Sequence, residues 1–335
     1  MVTFRRLPVL LLLTICTTLA AAPPQEAPAE KAKAPAAKER TAKPKAPQFL
    51  RLVRDENKEP LLMQTAIVRY TPATGKNKLT VDLVSAVHIG DKAYYERLNK
   101  EFEQYDVVLY ELVAPAGTKI PKGGKRDRNN PISILQDMTK DMLQLESQME
   151  LVDYTKDNFV HADMTPKQIA AAMKERGEDG LTVALKVFGE ALQQQNRMNK
   201  EIENNPQLRR AMRGANPLSM MLSPNGGMKI KRLMAEQFAA AGATGMELGP
   251  TLNTMLVEDR NKVALDVFKK ELIKGSKKIA IFYGAAHMPD FEKRLKDEYG
   301  LKRTTARWIS AWDFQNEAPQ EEKRSPFESF LRMLE

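Results

Sequence analysis

Two histidines occupy matching positions in two similar parts of the sequence. The first part reads Ser85-Ala-Val-His88 before AYYERLNKEF, and the second reads Gly284-Ala-Ala-His287 before FEKRLKDEY. Each histidine follows an apolar run and precedes a helical pattern, so we expect it at the carboxyl end of a strand, where α/β sheets bind ligands. Histidines in such a cleft act as acid–base groups or metal ligands. The alternative is that each caps the following helix or fills a polar gap.

A carboxylate and a guanidinium are expected at the same site. Glu111 ends the apolar run VVLY, where an acidic group is costly unless a cation or hydrogen-bond donors lie close to it. Arg260 lies within the apolar stripe of a predicted helix, so we expect it to be buried beside a carboxylate or an anionic ligand. Glu111 or a developing oxyanion would suit it. A solvent-facing Glu111 and a structural ion pair of Arg260 elsewhere in the core are the alternatives.

The third of the three histidines is a further candidate. His161 lies two residues before Asp163 and shortly before Thr165-Pro-Lys-Gln168, a capping box that marks the start of a helix. His161 and Asp163 can therefore complete the site. A structural role of His161 at the entry to the helix is the alternative.

The elements that must position these residues follow from hydrophobic periodicity. Residues 62–70 and 79–87 predict a β-hairpin, 91–104 a helix that Asp91 caps, and 106–112 a buried strand. Strand, helix and strand at this spacing form a βαβ unit, so the two strands should be parallel.

A long helical insertion separates this unit from a second α/β half. We predict the insertion at about 115–250, with helices near 131–149, 165–176, 180–203 and 228–241. The second half is predicted to contain a helix over 251–274, a strand over 278–283, a helix over 290–299 and a strand over 303–314. The predicted fold class is α/β, with a central mixed sheet built from two βαβ-like halves and a large helical insertion between them.

These residues resemble the TraB/GumN family, also called the TIKI or pheromone-shutdown family. It shares a broad superfamily with erythromycin esterase and the ChaN-like haem-binding proteins. The family is marked by two GxxH motifs, a Glu that ends the strand after the first motif and an Arg-containing helix before the second. Residues 60–314 carry the likeness, with Ser85 in place of the first Gly and Arg260-Asn261 in the helix. The resemblance implies an α/β domain over 49–314 and, from animal members, metal-dependent proteolysis.

Two mechanisms of hydrolysis fit these residues, and both favour an enzyme that acts on an amide or ester bond. In the first, His88, Glu111 and His287 bind a divalent metal such as Mn, Co or Zn, which acidifies a water molecule. In the second, one histidine is the general base, Glu111 orients it and Arg260 stabilises the oxyanion. A non-enzymatic protein or regulator that holds a ligand such as haem between the histidines is the alternative.

The N-terminus predicts export. Residues 1–20 have two arginines, a short apolar stretch and small residues, which is typical of a secretory signal peptide. Residues 21–48 are almost entirely Ala, Pro, Lys and Glu, so we expect a disordered tether. Cys16, the one cysteine, falls within the signal peptide, so a mature periplasmic or extracellular protein would have neither disulfides nor a catalytic thiol. Residues 315–335 are expected to form a polar linker and a short helix.

The charge distribution argues against nucleic acid as a partner. The formal net charge is +9, and residues 1–48, with eight Lys or Arg against three Glu, account for +5 of it. The remaining +4 of the folded part is too mild to argue for nucleic-acid binding. The expected partner is therefore a peptide or small-molecule substrate. Membrane association is expected only through an uncleaved N-terminus or the basic tether.

We predict that the tether contributes nothing to the stability of the folded domain. Deletion of residues 23–48 should leave the midpoint of thermal unfolding unchanged, because the segment has almost no apolar surface to bury. Calorimetry of the two proteins measures this. A large drop in the midpoint would show that the segment packs on the domain.

Overall fold

The strands predicted from the apolar runs assemble into one mixed sheet. The computed structural model of the protein describes residues 48–74, 78–115, 117–123, 143, 145–206, 226–242 and 250–315. These residues belong to one unit, Lys45–Glu335. The α/β class is as predicted, with parallel and antiparallel strands in the central sheet.

The strands and the helices are numbered separately, each in chain order. The strands are β1 (Leu50–Arg54), β2 (Pro60–Pro72), β3 (Thr80–Ala86), β4 (Ile89–Gly90), β5 (Val107–Tyr110), β6 (Glu146–Ser147), β7 (Phe159–His161), β8 (Lys278–Gly284) and β9 (Leu301–Asp313). The described α-helices are α1 (Lys92–Phe102), α2 (Gln148–Leu151), α3 (Pro166–Glu175), α4 (Gly180–Asn204), α5 (Gly226–Gly242), α6 (Pro250–Asn253), α7 (Asp259–Lys274) and α8 (Met288–Asp297). A π-helical turn, Thr254–Glu258, joins α6 to α7, and a 3₁₀ turn, Ala285–His287, joins β8 to α8.

Four neighbouring strands of the sheet are parallel. The order in the sheet is β1-β2-β3-β8-β5-β7, and β9 pairs with β2. The predicted hairpin is confirmed by the antiparallel pairing of β2 with β3. The strands of the predicted βαβ unit, β3 and β5, do run in the same direction, but β8 lies between them and pairs in parallel with both. The two halves of the chain are therefore interleaved in one sheet.

Both faces of the parallel strands are covered by apolar packing. Along β8, Ile279, Ile281 and Tyr283 belong to the core on the side of α7 and α8, while Ala280 and Phe282 belong to the core on the side of α1. Because both faces of β8 are buried, its sequence is a continuous run of apolar residues and does not alternate between apolar and polar residues.

The insertion contributes to the sheet, which the sequence did not predict. Helices α3, α4 and α5 lie close to their predicted positions, and the Thr165/Gln168 capping box is present. However, β7 lies inside the predicted insertion and pairs in parallel with β5. An apolar strand of three residues is too short for periodicity to reveal. The helix predicted near 131–149 lies mostly outside the described residues, and its last part is the β6–α2 turn.

Two helix starts differ in detail from the prediction. Helix α1 follows Asp91 as expected, but the Asp91 carboxylate makes no capping bond and accepts hydrogen bonds from Asp313 N and Lys231 Nζ instead. The helix predicted over 251–274 is continuous, but its second turn is the π-helical one. It ends at Gly275, whose φ of 96° is a left-handed conformation that suits glycine.

The predicted signal peptide (1–20) lies outside the described residues, as do the tether (21–48) and the C-terminal linker and helix (315–335), apart from residues 48 and 315. None of the described helices is long and apolar enough to cross a membrane.

Candidate functional site

The carboxyl ends of the four parallel strands bring the predicted site residues to one edge of the sheet. In sheet order, β3 leads to His88, β8 to His287, β5 to Glu111, and β7 to His161 and Asp163. Because all four strands point the same way, residues far apart in sequence become neighbours here.

Gly284 lies at the centre of this edge. A Cβ atom built on Gly284 would be 3.4 Å from Glu111 Oε2, 3.9 Å from His287 Cδ2 and 4.0 Å from His88 Nε2. The backbone N–H of Gly284 donates a 2.8 Å hydrogen bond to Glu111 Oε2. The structure therefore brings His88, Glu111 and His287 together around a residue that has no side chain.

The two histidine motifs are not equivalent in the sheet. The β3–β8 register pairs Ala86 with Gly284 and Ser85 with Tyr283. His88 thus lies two residues beyond the paired position on its strand, and His287 lies three beyond it, so the matching positions in sequence are offset by one in space. Ser85 and Gly284, the first residues of the two motifs, therefore do not occupy equivalent positions in the sheet. Its Oγ is buried, with no hydrogen-bond partner among the described residues.

Arg260 joins two carboxylates. Its Nε and Nη2 donate to the two oxygens of Asp163 at 2.9 and 2.6 Å, and Nη2 also donates to Glu111 Oε1 at 2.7 Å. Its Nη1 donates to the carbonyl of Leu256, in the π-helical turn, at 3.1 Å. Arg260 is 8% exposed, as its place in the apolar stripe predicts. The sequence indicated Glu111 as a partner of Arg260, and the structure has that contact, but the bidentate contact of Arg260 is with Asp163.

Glu111 is held as a carboxylate. Burial alone raises the pKa of this group, but the charges of His287, Arg260 and His88 and the N–H of Gly284 lower it, and the net pKa is well below its usual range. The Arg260 guanidinium and the Gly284 N–H lower the pKa of Glu111 even when the imidazoles are neutral, so these two groups keep the carboxylate ionised at neutral pH.

His287 is a neutral imidazole near pH 7. Burial lowers its pKa to about 4, against the opposing effect of the Glu111 charge. The side chain is 6% exposed and packs edge-on to the ring of Tyr283, with centroids 5.1 Å apart. Its Nε2 is 3.6 Å from Glu111 Oε1, and its Nδ1 is 2.7 Å from Asn261 Oδ1. His88, by contrast, is exposed, so the site is open to solvent on that side.

The accessory candidates act in different ways. His161 Nε2 is 2.6 Å from the carbonyl oxygen of Leu112, so this ring fixes the backbone next to Glu111 and does not reach the cluster through that nitrogen. Asp163 is linked to the site by its hydrogen bonds from Arg260, and Asn261 is linked to it by its contact with the His287 ring.

Sequence reasoning missed two residues behind the site. Asp290 Oδ2 accepts hydrogen bonds from Asn261 Nδ2 at 2.9 Å and from Arg294 Nε at 2.8 Å. The available signal was the spacing His287-Met-Pro-Asp290, which returns an acidic side chain to the turn that contains the histidine. Arg294, four residues later on the same helix face, follows from the same spacing.

The donors near Gly284 are of types that bind divalent metals, but their arrangement is not that of a formed metal site. No group of three or more His, Cys, Asp or Glu side chains within the described ranges is placed to hold a metal ion. Both Glu111 oxygens already accept hydrogen bonds from Arg260 and Gly284.

Comparison of the chain with protein-family models, with characterised proteins and with solved structures finds no match.

We predict that Arg260 is coupled more strongly to Asp163 than to Glu111. Arg260→Met should lower the free energy of unfolding by about 3 kcal/mol, because it leaves two buried carboxylates unpaired. Adding Asp163→Asn should recover more of this loss than adding Glu111→Gln, because Asp163 is fully buried and takes two of the hydrogen bonds.

Urea unfolding of the two double-mutant cycles measures the coupling, with Lys293→Met as a control, since Lys293 forms an exposed pair with Asp297. The control should leave the free energy of unfolding unchanged. Additive losses in both cycles would contradict the interpretation of Arg260 as the bridge.

We predict a further loss of stability at acid pH that belongs to His287. The unfolded chain protonates this ring near its ordinary pKa of 6.5, whereas the folded chain resists protonation until about 4. The folded state is therefore favoured above pH 6.5 and loses about 3 kcal/mol as the pH falls from 6.5 to 4.

The measurement is the difference in unfolding free energy between the wild type and His287→Gln at several pH values, with a chelator present. The charged or titratable groups that face the ring, Glu111, Asp163, Arg260 and His88, are present in both proteins. A difference that does not vary between pH 6.5 and 4 would show that the ring is not held neutral.

Proposed function

We propose that this protein is a hydrolase that cleaves an amide or ester bond at the cluster of His88, Glu111 and His287. One observation carries the proposal. Nε2 of the buried, neutral His287 lies 3.6 Å from Oε1 of an ionised Glu111, beside an exposed histidine at the carboxyl edge of the sheet. Perturbed titratable groups that converge at such an edge are the usual signature of acid–base chemistry.

The proposed chemistry assigns one role to each side chain. His287 Nε2 accepts a proton from the attacking water molecule, and the Glu111 carboxylate stabilises the imidazolium that forms. The water oxygen bonds to the carbonyl carbon, and the bond to the leaving group then breaks. His88, on the solvent side, is placed to give a proton to the departing amine or alcohol.

Arg260 is assigned to positioning in this mechanism. Its guanidinium makes four hydrogen bonds to Asp163, Glu111 and Leu256, which use four of its five N–H groups. Its effect on the reaction is therefore to hold Glu111 in place and ionised, rather than to bind an oxyanion directly.

A divalent metal such as Mn, Co or Zn is the other route to hydrolysis. His88, Glu111 and His287 would hold it, and the bound ion would acidify a water molecule. The donor types suit an ion, but their present arrangement does not, so no step above depends on a metal.

The resemblance to the TraB/GumN family supports the same class of activity, because its animal members are metal-dependent proteases. On that basis we propose a peptide or small-molecule substrate and an exported protein, periplasmic or extracellular. The non-enzymatic alternative, a haem-binding or regulatory protein, is less well supported. His287 Nε2 faces the Glu111 carboxylate at 3.6 Å, and this placement favours proton transfer over ligation of a haem iron by that nitrogen.

We predict that the purified mature chain hydrolyses activated esters or peptide amides, and that His287→Gln and Glu111→Gln each reduce the rate by at least about 100-fold. Lys293→Met is the control, because Lys293 forms an exposed pair with Asp297 and should leave the rate unchanged. Metal analysis and an absorbance scan of the same sample identify a bound ion or haem. Equal rates in the wild type and the two site variants, or no turnover of any substrate, would contradict the proposal.

A further inference from the structure

Asn261 is fully buried on α7 and faces the 3₁₀ turn that contains His287. Its side-chain amide makes three contacts of hydrogen-bond length. Oδ1 is 2.7 Å from His287 Nδ1, and Nδ2 donates to the His287 carbonyl at 3.1 Å and to Asp290 Oδ2 at 2.9 Å. The same amide therefore contacts both the ring and the backbone of the histidine.

The network fixes which way this amide points. The carbonyl of His287 and the carboxylate of Asp290 are both acceptors, so the NH₂ group must face them. A flipped amide would place Oδ1 against two acceptors in a buried place, which is costly. Arg294 Nε donates to the same Asp290 oxygen at 2.8 Å and holds the carboxylate in position. The amide oxygen must therefore face the imidazole.

The orientation of the amide determines the tautomer of the ring. An amide oxygen only accepts, so the nitrogen facing it, His287 Nδ1, must carry the hydrogen. In a neutral imidazole the other nitrogen then has none. Nε2 accordingly presents a lone pair on the side of Glu111 Oε1, 3.6 Å away, whose own donor is Arg260 Nη2. Nε2 is therefore the acceptor that is left to take a hydrogen from a water molecule beside it.

We propose that Asn261 is a positioning residue that locks His287 as the Nδ1–H tautomer, with Asp290 and Arg294 holding Asn261 in turn. The inference rests on the proposed function only for its consequence, which is that Nε2 is kept available as the base. The tautomer itself is a property of the resting protein and can be measured without a substrate.

The first test is nitrogen NMR of the full mature chain labelled with ¹⁵N-histidine at neutral pH. The chain has three histidines, so single replacements of His88, His161 and His287 assign every ring signal. For wild-type His287 we expect a protonated Nδ1 and an unprotonated Nε2. In Asn261→Leu we expect this pattern to be lost or replaced by a mixture of tautomers. A protonated Nε2 in the wild type would overturn the inference, whatever the activity.

The second test uses activity and a rescue variant. Asn261→Leu should lower kcat by about 100-fold with little change in KM, because the base is misoriented while binding is kept. The exchange Asn261→Asp with Asp290→Asn keeps an acceptor on Nδ1 and a donor–acceptor pair between residues 261 and 290, but it places a carboxylate oxygen against the His287 carbonyl. We therefore expect the Nδ1–H signal to return, with a partial recovery of kcat of at least about 10-fold. Failure of the exchange variant to restore that signal, when it is folded by circular dichroism, would also overturn the inference.

Asn99→Leu is the matched structural control. Asn99, on α1, also donates to a backbone carbonyl and accepts from a backbone N–H, at 2.8 and 3.0 Å, but its partners are Leu151 and Asp153. It should leave the His287 tautomer and kcat unchanged. If the wild type shows the expected tautomer but no hydrolysis, the inference on Asn261 stands and the proposed function fails.

Discussion

The contact of Arg260 with Asp163 and Glu111 is the interaction on which the site depends. Two carboxylates and one guanidinium are removed from water here, and each ion loses several kcal/mol of hydration free energy. The cost is offset only if the geometry satisfies all three groups, and Arg260 does this with paired bonds to Asp163 and a third to Glu111. The parallel strands β5 and β7 supply that geometry, because they end side by side and place both carboxylates under one helix.

This charge arrangement explains why the neighbouring histidine is neutral. Three buried ions carry a net charge of −1, and Glu111 alone would favour a protonated imidazole. Burial lowers the pKa of His287 by more than the Glu111 charge raises it, and the charges of Arg260 and His88 lower this pKa further. The His287 ring therefore stays uncharged at neutral pH. The result is an ionised acid beside a neutral base, and two acceptors that face each other can share a donor. Arg260 therefore influences the chemistry by fixing the charge state of Glu111.

Periodicity in the sequence was enough to predict the α/β class, most strands and helices, and the burial of Arg260. The carboxyl-edge position of His88, Glu111 and His287 followed from strand direction alone. The order of strands did not follow, because β8 enters between β3 and β5 through pairings that are distant in sequence. For the same reason Asp163 was identified only by its closeness to His161, and its role could not be seen until β7 was placed beside β5.

The two histidines illustrate why equal sequence motifs need not give equal chemistry. The offset of one residue in the β3–β8 register leaves His88 exposed beside a strand end, while the 3₁₀ turn after Gly284 folds His287 back into the core. The two rings therefore lie in different environments. Nδ1 of the buried His287 contacts the Asn261 amide, and its Nε2 faces the Glu111 carboxylate. A buried ring with a fixed tautomer suits proton abstraction, and an exposed ring suits exchange of protons with solvent. In the mechanism we propose, this asymmetry between two similar motifs is what divides the acid and base roles between them.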